Sequence, residues 1–157
     1  MPTSQKTEDS LLLEILDEGY LRKAWHGPNL RQSLRGVSAE AAAWRPAPGR
    51  HNIWEIAVHA AYWKYVVRRR LCEDKRGSFA LKGSNWFPRP EALSEKAWRA
   101  DLALLESEHR KLRQALLDYQ AGKARRAPAR LLFGAALHDV YHAGQIRLLR
   151  RLPTGTA

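Results

Sequence analysis

The histidines carry the first chemical signal in this chain. His138 and His142 stand four positions apart in LLFGAALHDVYHAGQIRLLRRL, Leu131 to Leu152. On a helix that spacing projects two imidazoles about 40° apart and one turn up, near enough to ligate one metal ion. Spacing alone is weak evidence, because six histidines in 157 residues make such pairs common by chance. Direction adds to it: on a helical wheel both rings fall with Leu131, Ala135, Leu149 and Leu152 on the face turned toward a core. Two adjacent buried imidazoles must hydrogen-bond, stay neutral or bind a metal, since an unpaired polar group in a core costs about 1–3 kcal/mol. A third ring, His59, sits on the shoulder of a stripe made by Ile56, Trp63 and Val67. If the two helices are neighbours, His59, His138 and His142 form a three-nitrogen set with a position left open, the pattern of a catalytic metal site more than a closed structural one. The residues by themselves leave this triad and a set of core histidines with ordinary partners both open.

Other side chains are weaker candidates. Glu55, one turn before His59, can orient a ligand or accept a proton, but it also completes a capping box with Asn52. Gln145, one turn beyond His142, can hydrogen-bond a ligand or link two helices, and Tyr141 is a candidate proton donor. His109 reads as a satisfied core histidine, and at His26 and His51 turns or caps explain the residue as well as a pocket does. Trp54, Trp63 and Trp86 read as packing residues first, with Trp63 the one chosen to line a site. Cys72 has no helical His or Asp placed to activate it and reads as inert.

The elements that must position these groups are helical. Periodicity marks four long segments with little strand signal and no internal repeat. The first runs from about Thr7 to Gly36 and is kinked or split at Gly27-Pro28, because proline removes a backbone donor and disfavours a helical residue before it. A short helix from Ser38 to Trp44 stops at Pro46-Ala47-Pro48-Gly49. The second long helix starts at the Asn52 cap and runs to about Glu73, followed by KGSNWFPRP, Lys82 to Pro90, a loop whose Trp86-Phe87 pair is expected to pack on something. The third spans about Ser94 to Tyr119, with Trp98, Leu102, Leu105, His109, Leu112, Leu116 and Tyr119 on one seam, and Gly122 to Pro128 closes it. The fourth spans about Arg130 to Leu152 and ends before Pro153. Such amphipathic helices most economically bury their stripes as an all-α four-helix bundle.

Composition narrows the partners. The length suits one domain over 1–157, with 1–6 and 153–157 as loose ends. No uncharged apolar run reaches bilayer length, so no membrane span is expected, and a lone cysteine with no secretory pattern points to the cytoplasm. The charge of +11 is concentrated in residues 61–130, which hold 17 basic against eight acidic residues. A field of that sign attracts anions in general. Nucleic acid is the less favoured reading, because the arginine runs lack interleaved stacking aromatics.

Three stretches together resemble a known family: HNIWEIAVHAAYWKYVVRRRL (His51 to Leu71), the loop KGSNWFPRP, and LLFGAALHDVYHAGQIRLLRRL. They are similar to the DinB-like, or YfiT-like, superfamily, which is unrelated to the DNA polymerase sharing that name. The resemblance implies a four-helix bundle in which three histidines bind a divalent metal, commonly zinc or nickel. By position these ligands are His59, His138 and His142. It implies in addition a homodimer and a small-molecule substrate, with a thiol S-transferase or hydrolase activity in which a low-molecular-weight thiol serves as cosubstrate. The competing expectation is a non-enzymatic basic bundle that binds nucleic acid or another polyanion.

Overall fold

Among the described residues there are six helices: α1 (Thr3–Tyr20), α2 (Leu30–Leu34), α3 (Ala39–Ala43), α4 (Ile53–Leu71), α5 (Glu95–Gln120) and α6 (Ala129–Leu149). The structure, a computed structural model, describes residues 3–89, 94–123 and 129–152, of which 3–9 by backbone alone. Among the described residues there is no strand, and no helix is long and apolar enough to cross a membrane. The four long helices close a ring, α1 packing on α5 and α6, and α4 packing on the same two from the other side. The chain is therefore all-α, with the expected bundle. Pro90, Pro128, Pro153 and the outermost ends of the chain, on which several boundary expectations fell, lie outside the described residues.

The first helical segment is split, and the break is wider than a proline kink. α1 stops at Tyr20, and the chain passes through a left-handed Gly27 (φ 118°) before Asn29 caps α2 in a capping box with Gln32. α4 starts where its own box predicts: the Asn52 side chain accepts from the Glu55 N–H at 2.8 Å, and the Asn52 N–H donates back to the Glu55 carboxylate at 3.4 Å. It ends at Leu71, two positions short of Glu73, whose backbone has turned left-handed (φ 55°). α6 likewise stops at Leu149, with Arg151 and Leu152 in a turn instead of the last helical residues. α1 and α6 approach closely at Gly19, where a β-carbon would meet the Ala136 carbonyl oxygen at 3.0 Å.

The core divides into two apolar clusters. One joins Tyr20, Ile53, Trp54, Ile56, Val58, Phe87, Trp98, Leu105, Ala143 and Ile146; the other joins Leu12, Leu16, Val67, Leu71, Leu112, Leu116, Leu132 and Ala135. On each of α4, α5 and α6 a polar residue falls between the two sets: Lys64, His109 and Asp139, all buried. Lys64 Nζ donates to Asp139 Oδ2, sits 3.4 Å from His109 Nδ1 and lies over the Tyr20 ring at 4.7 Å. Tyr20 stacks on His109 at 4.1 Å and donates to Glu106 at 2.9 Å. His109 is thus the core histidine expected, but its Nε2 has no hydrogen-bond partner among the described residues, and neither has Asp139 Oδ1. Burial pushes the Lys64 ammonium and the Asp139 carboxyl each toward its neutral form, against their mutual attraction.

Candidate metal centre

α4 and α6 are neighbours, the adjacency that spacing alone could not establish, and they bring three imidazoles to one point. His59 Nε2 lies 3.1 Å from His138 Nε2, which lies 3.0 Å from His142 Nε2. All three donor atoms fall within 4.8 Å of one another. The opposite nitrogens of two rings are held from behind. His59 Nδ1 donates to the Asn85 carbonyl at 2.9 Å, and His142 Nδ1 donates to Gln145 Oε1 at 2.6 Å. Because both acceptors are oxygens without a proton to give, the tautomer is set, and each of those two Nε2 atoms presents a lone pair.

That arrangement fits a cation. His138 Nε2 carries at most one proton, so one of its two short contacts sets lone pair against lone pair unless a positive charge sits between them. Extra protons do not supply that charge near neutral pH. Burial, then the neighbouring rings, pushes His138 down to about 3; burial pushes His142 down to about 4 against its bond to Gln145, and lowers His59 against its bond to Asn85. Three neutral imidazoles with converged lone pairs are a donor set for a divalent ion, and the backing carbonyl and amide are the partners that orient metal-bound histidines.

The set opens onto a cavity of about 700 Å³, whose walls include Ile56, Leu148 and Leu149, together with Arg50, His51 and Tyr141. Trp86, read from sequence as packing, stacks on His59 at 3.8 Å and on His51 at 3.5 Å, both nearly parallel. Trp63, the tryptophan chosen for the site, instead donates to Asn85 Oδ1 at 3.0 Å and meets His59 and His138 at its edge. The KGSNWFPRP loop does pack on the bundle, through Trp86 and Phe87.

The weaker candidates separate. Glu55 bonds none of His59, His138 and His142; it completes its cap, and its carboxylate takes Arg45 Nη1 at 2.9 Å and His51 Nδ1 at 3.0 Å. Burial would raise its pKa, but Arg45 and His51 outweigh that and hold it below the ordinary value. Gln145 orients His142, and its amide donates to the Tyr141 hydroxyl at 3.1 Å on the cavity wall. Cys72 caps α4, and burial and Asp74 raise its thiol pKa, which disfavours the thiolate. Sequence reasoning missed Asn85 and Trp86 as site residues and left His51 open between a helix-end and a pocket role. Asn85 does carry a signal, since it adopts a left-handed backbone (φ 63°) that asparagine tolerates better than most residues.

The chain matches the sequence profile of the DinB superfamily over residues 21–146. It belongs to that superfamily. The matched span takes in His59, the loop with Asn85 and Trp86, and both α6 histidines. Neither a curated protein nor a solved structure matches. Superfamily membership and the histidine cluster together fit a metal-binding DinB protein.

Proposed function

We propose that this DinB-superfamily chain is a divalent-metal-dependent enzyme that adds or transfers a small thiol, or water, to an organic electrophile. The observation that carries the reading is the convergence of three neutral imidazole nitrogens at the floor of an open, largely apolar cavity. Zinc or nickel held by His59, His138 and His142 supplies the positive charge that favours an anionic nucleophile near neutral pH.

The chain's own residues do the rest. Asn85 and Gln145 fix the ring orientations of His59 and His142. His51 is the proton acceptor: its Nδ1 is tied to Glu55, which Arg45 holds in place, and its ring lines the cavity with no partner for Nε2 among the described residues. A histidine oriented by a carboxylate in this way takes the nucleophile's proton at Nε2 and returns it to the product. Glu55 is then a positioning residue. Trp86, sandwiched between His51 and His59, sets the spacing of base and metal ligands. Arg50 offers a charged partner to an anionic group on the substrate, and Ile56, Leu148 and Leu149 offer apolar surface.

Elemental analysis of untagged protein tests the centre. Near one metal per chain is expected, lost in His138→Ala/His142→Ala; none after metal-replete expression overturns the reading. Metal-loaded protein is then incubated with several low-molecular-weight thiols and a generic aromatic electrophile. Thiol consumption is expected to fall by about 10²–10⁴-fold in His51→Gln, with a displaced pH profile.

A further inference from the structure

A second cavity, of about 860 Å³, lies between the last turns of α4 and the loop after it, and shares no lining residue with the metal cavity. Arg69, Arg70, Arg76 and Lys82 line it, with no Asp or Glu among the lining residues. Six arginines elsewhere, Arg22, Arg31, Arg45, Arg68, Arg89 and Arg113, each reach a carboxylate within 3.7 Å. Among the described residues none of the four cavity cations does.

The loop that forms this cavity is tied down. The Tyr65 hydroxyl accepts from the Gly77 and Ser78 N–H groups, both at 3.2 Å, and from Ser78 Oγ at 3.5 Å; these bonds, the Ser78 side chain first, hold its pKa below the ordinary value. Phe79 packs on Tyr62 at 5.3 Å and on Tyr65 at 5.4 Å. Trp63, bonded to Asn85, forms the partition toward the metal centre. Holding four like charges around one concavity costs free energy in the free protein, and a ligand of opposite charge recovers it.

We infer that this cavity binds a compact organic polyphosphate carrying a flat ring, chemically a nucleoside diphosphate. Guanidinium forks match phosphoryl oxygens in pairs, and Lys82 adds a point charge. Tyr62 and Trp63 also line the cavity and give a flat base an aromatic ring to lie against. The volume is that of a small-molecule site, and the four basic residues line one cavity instead of a groove that could track a strand. The inference does not rest on the metal.

Calorimetric titration of the full chain tests it, using wild type and His138→Ala/His142→Ala so that phosphate cannot act through a metal. The probes are ADP, inorganic pyrophosphate, adenosine and mixed-sequence duplex DNA. The expected result is one ADP per chain in both proteins, weaker pyrophosphate, and no adenosine. Arg70→Gln/Arg76→Gln, and separately Lys82→Gln, are expected to weaken ADP binding, the double variant by at least about tenfold. These three side chains are exposed, so unchanged helical circular dichroism is expected. Absence of saturable ADP binding at low salt, ADP affinity unchanged in the double variant, or duplex bound more tightly than ADP each overturns the inference. Because the histidine-free variant is in the design, these outcomes leave the metal reading where it stands.

Discussion

Replacing Lys64 with methionine is expected to be among the most destabilising single changes in this chain. Methionine keeps the length and apolar body of the lysine stem, so packing against Tyr20 survives and the loss is electrostatic. The two side chains of the pair are 2% and 1% exposed. Lys64 is the partner of Asp139 Oδ2, while Oδ1 has none among the described residues. The variant therefore leaves the Asp139 carboxyl group in the core with no donor to either oxygen among the described residues, and breaking a buried pair in this way costs about 3–5 kcal/mol. For a domain of this size that is a drop of roughly 10 °C in melting temperature. Urea denaturation at pH 7 measures it directly. Lys64→Met/Asp139→Leu removes both charges, and apolar replacement of a buried pair is often neutral or stabilising, so the double variant is expected to return to within about 1 kcal/mol of wild type. A loss below about 1 kcal/mol for Lys64→Met, or a double variant as unstable as the two single changes added together, would refute the reasoning.

The remaining predictions concern pH, ligand orientation and helix contact. Burial, then Lys64, Arg113 and Arg31, pushes His109 down to about 2. Its folded pKa lies below the unfolded value near 6.5, so the unfolded chain takes up the proton and stability falls as pH drops through 6.5, by about 1.4 kcal/mol per pH unit from this residue. His109→Phe is expected to remove about 2 kcal/mol of the stability lost between pH 7 and pH 5, measured by urea denaturation at both values; an unchanged difference would count against a neutral buried ring. Gln145→Leu frees His142 Nδ1 and is expected to weaken zinc about 10–100-fold in a competition titration while leaving the melting temperature of the metal-free chain unchanged. Gly19→Ala places a β-carbon 3.0 Å from the rigid Ala136 carbonyl, so α1 and α6 must move apart, at about 1–3 kcal/mol by thermal denaturation.

Helix starts were legible because they are written locally: Asn52 with Glu55, Ser38 and Ser94 are short-range caps, and each begins a helix as expected. The two α6 histidines were legible for the same reason, since helical spacing alone puts them on one face. His59 needed α4 beside α6, which no periodicity states and which the family resemblance supplied. Asn85 and Trp86 were out of reach because their roles depend on a loop folding back across more than twenty positions onto His59. His51 stayed open between a helix-end role and a pocket role, because its placement comes from Glu55 on one side of the ring and Trp86 stacked on its face. Trp63 does meet His59 and His138, as its choice for the site expects, but it lines the second cavity and not the metal cavity. Spacing put it one turn from His59 but could not show that its indole N–H would go to Asn85.

The buried polar layer bears on the metal centre through register. A helix that slips by one residue turns its side chains by about 100°, which would carry His138 away from His59. Apolar residues resist such slips weakly, since one leucine replaces another at little cost, whereas Asp139 finds Lys64 in one register. Asp139 directly follows His138 in sequence, so the ion pair that locates one locates the other. The stable Lys64→Met/Asp139→Leu variant separates the two roles: stability returns, but the device that sets α6 against α4 is gone. Zinc affinity in that variant is expected to fall about tenfold, within the range for changes that loosen ligand orientation, and the His138 and His142 ring signals in its metal-free NMR spectrum are expected to broaden. Wild-type affinity with sharp signals would mean that the two apolar clusters hold the register without help from the charges between them.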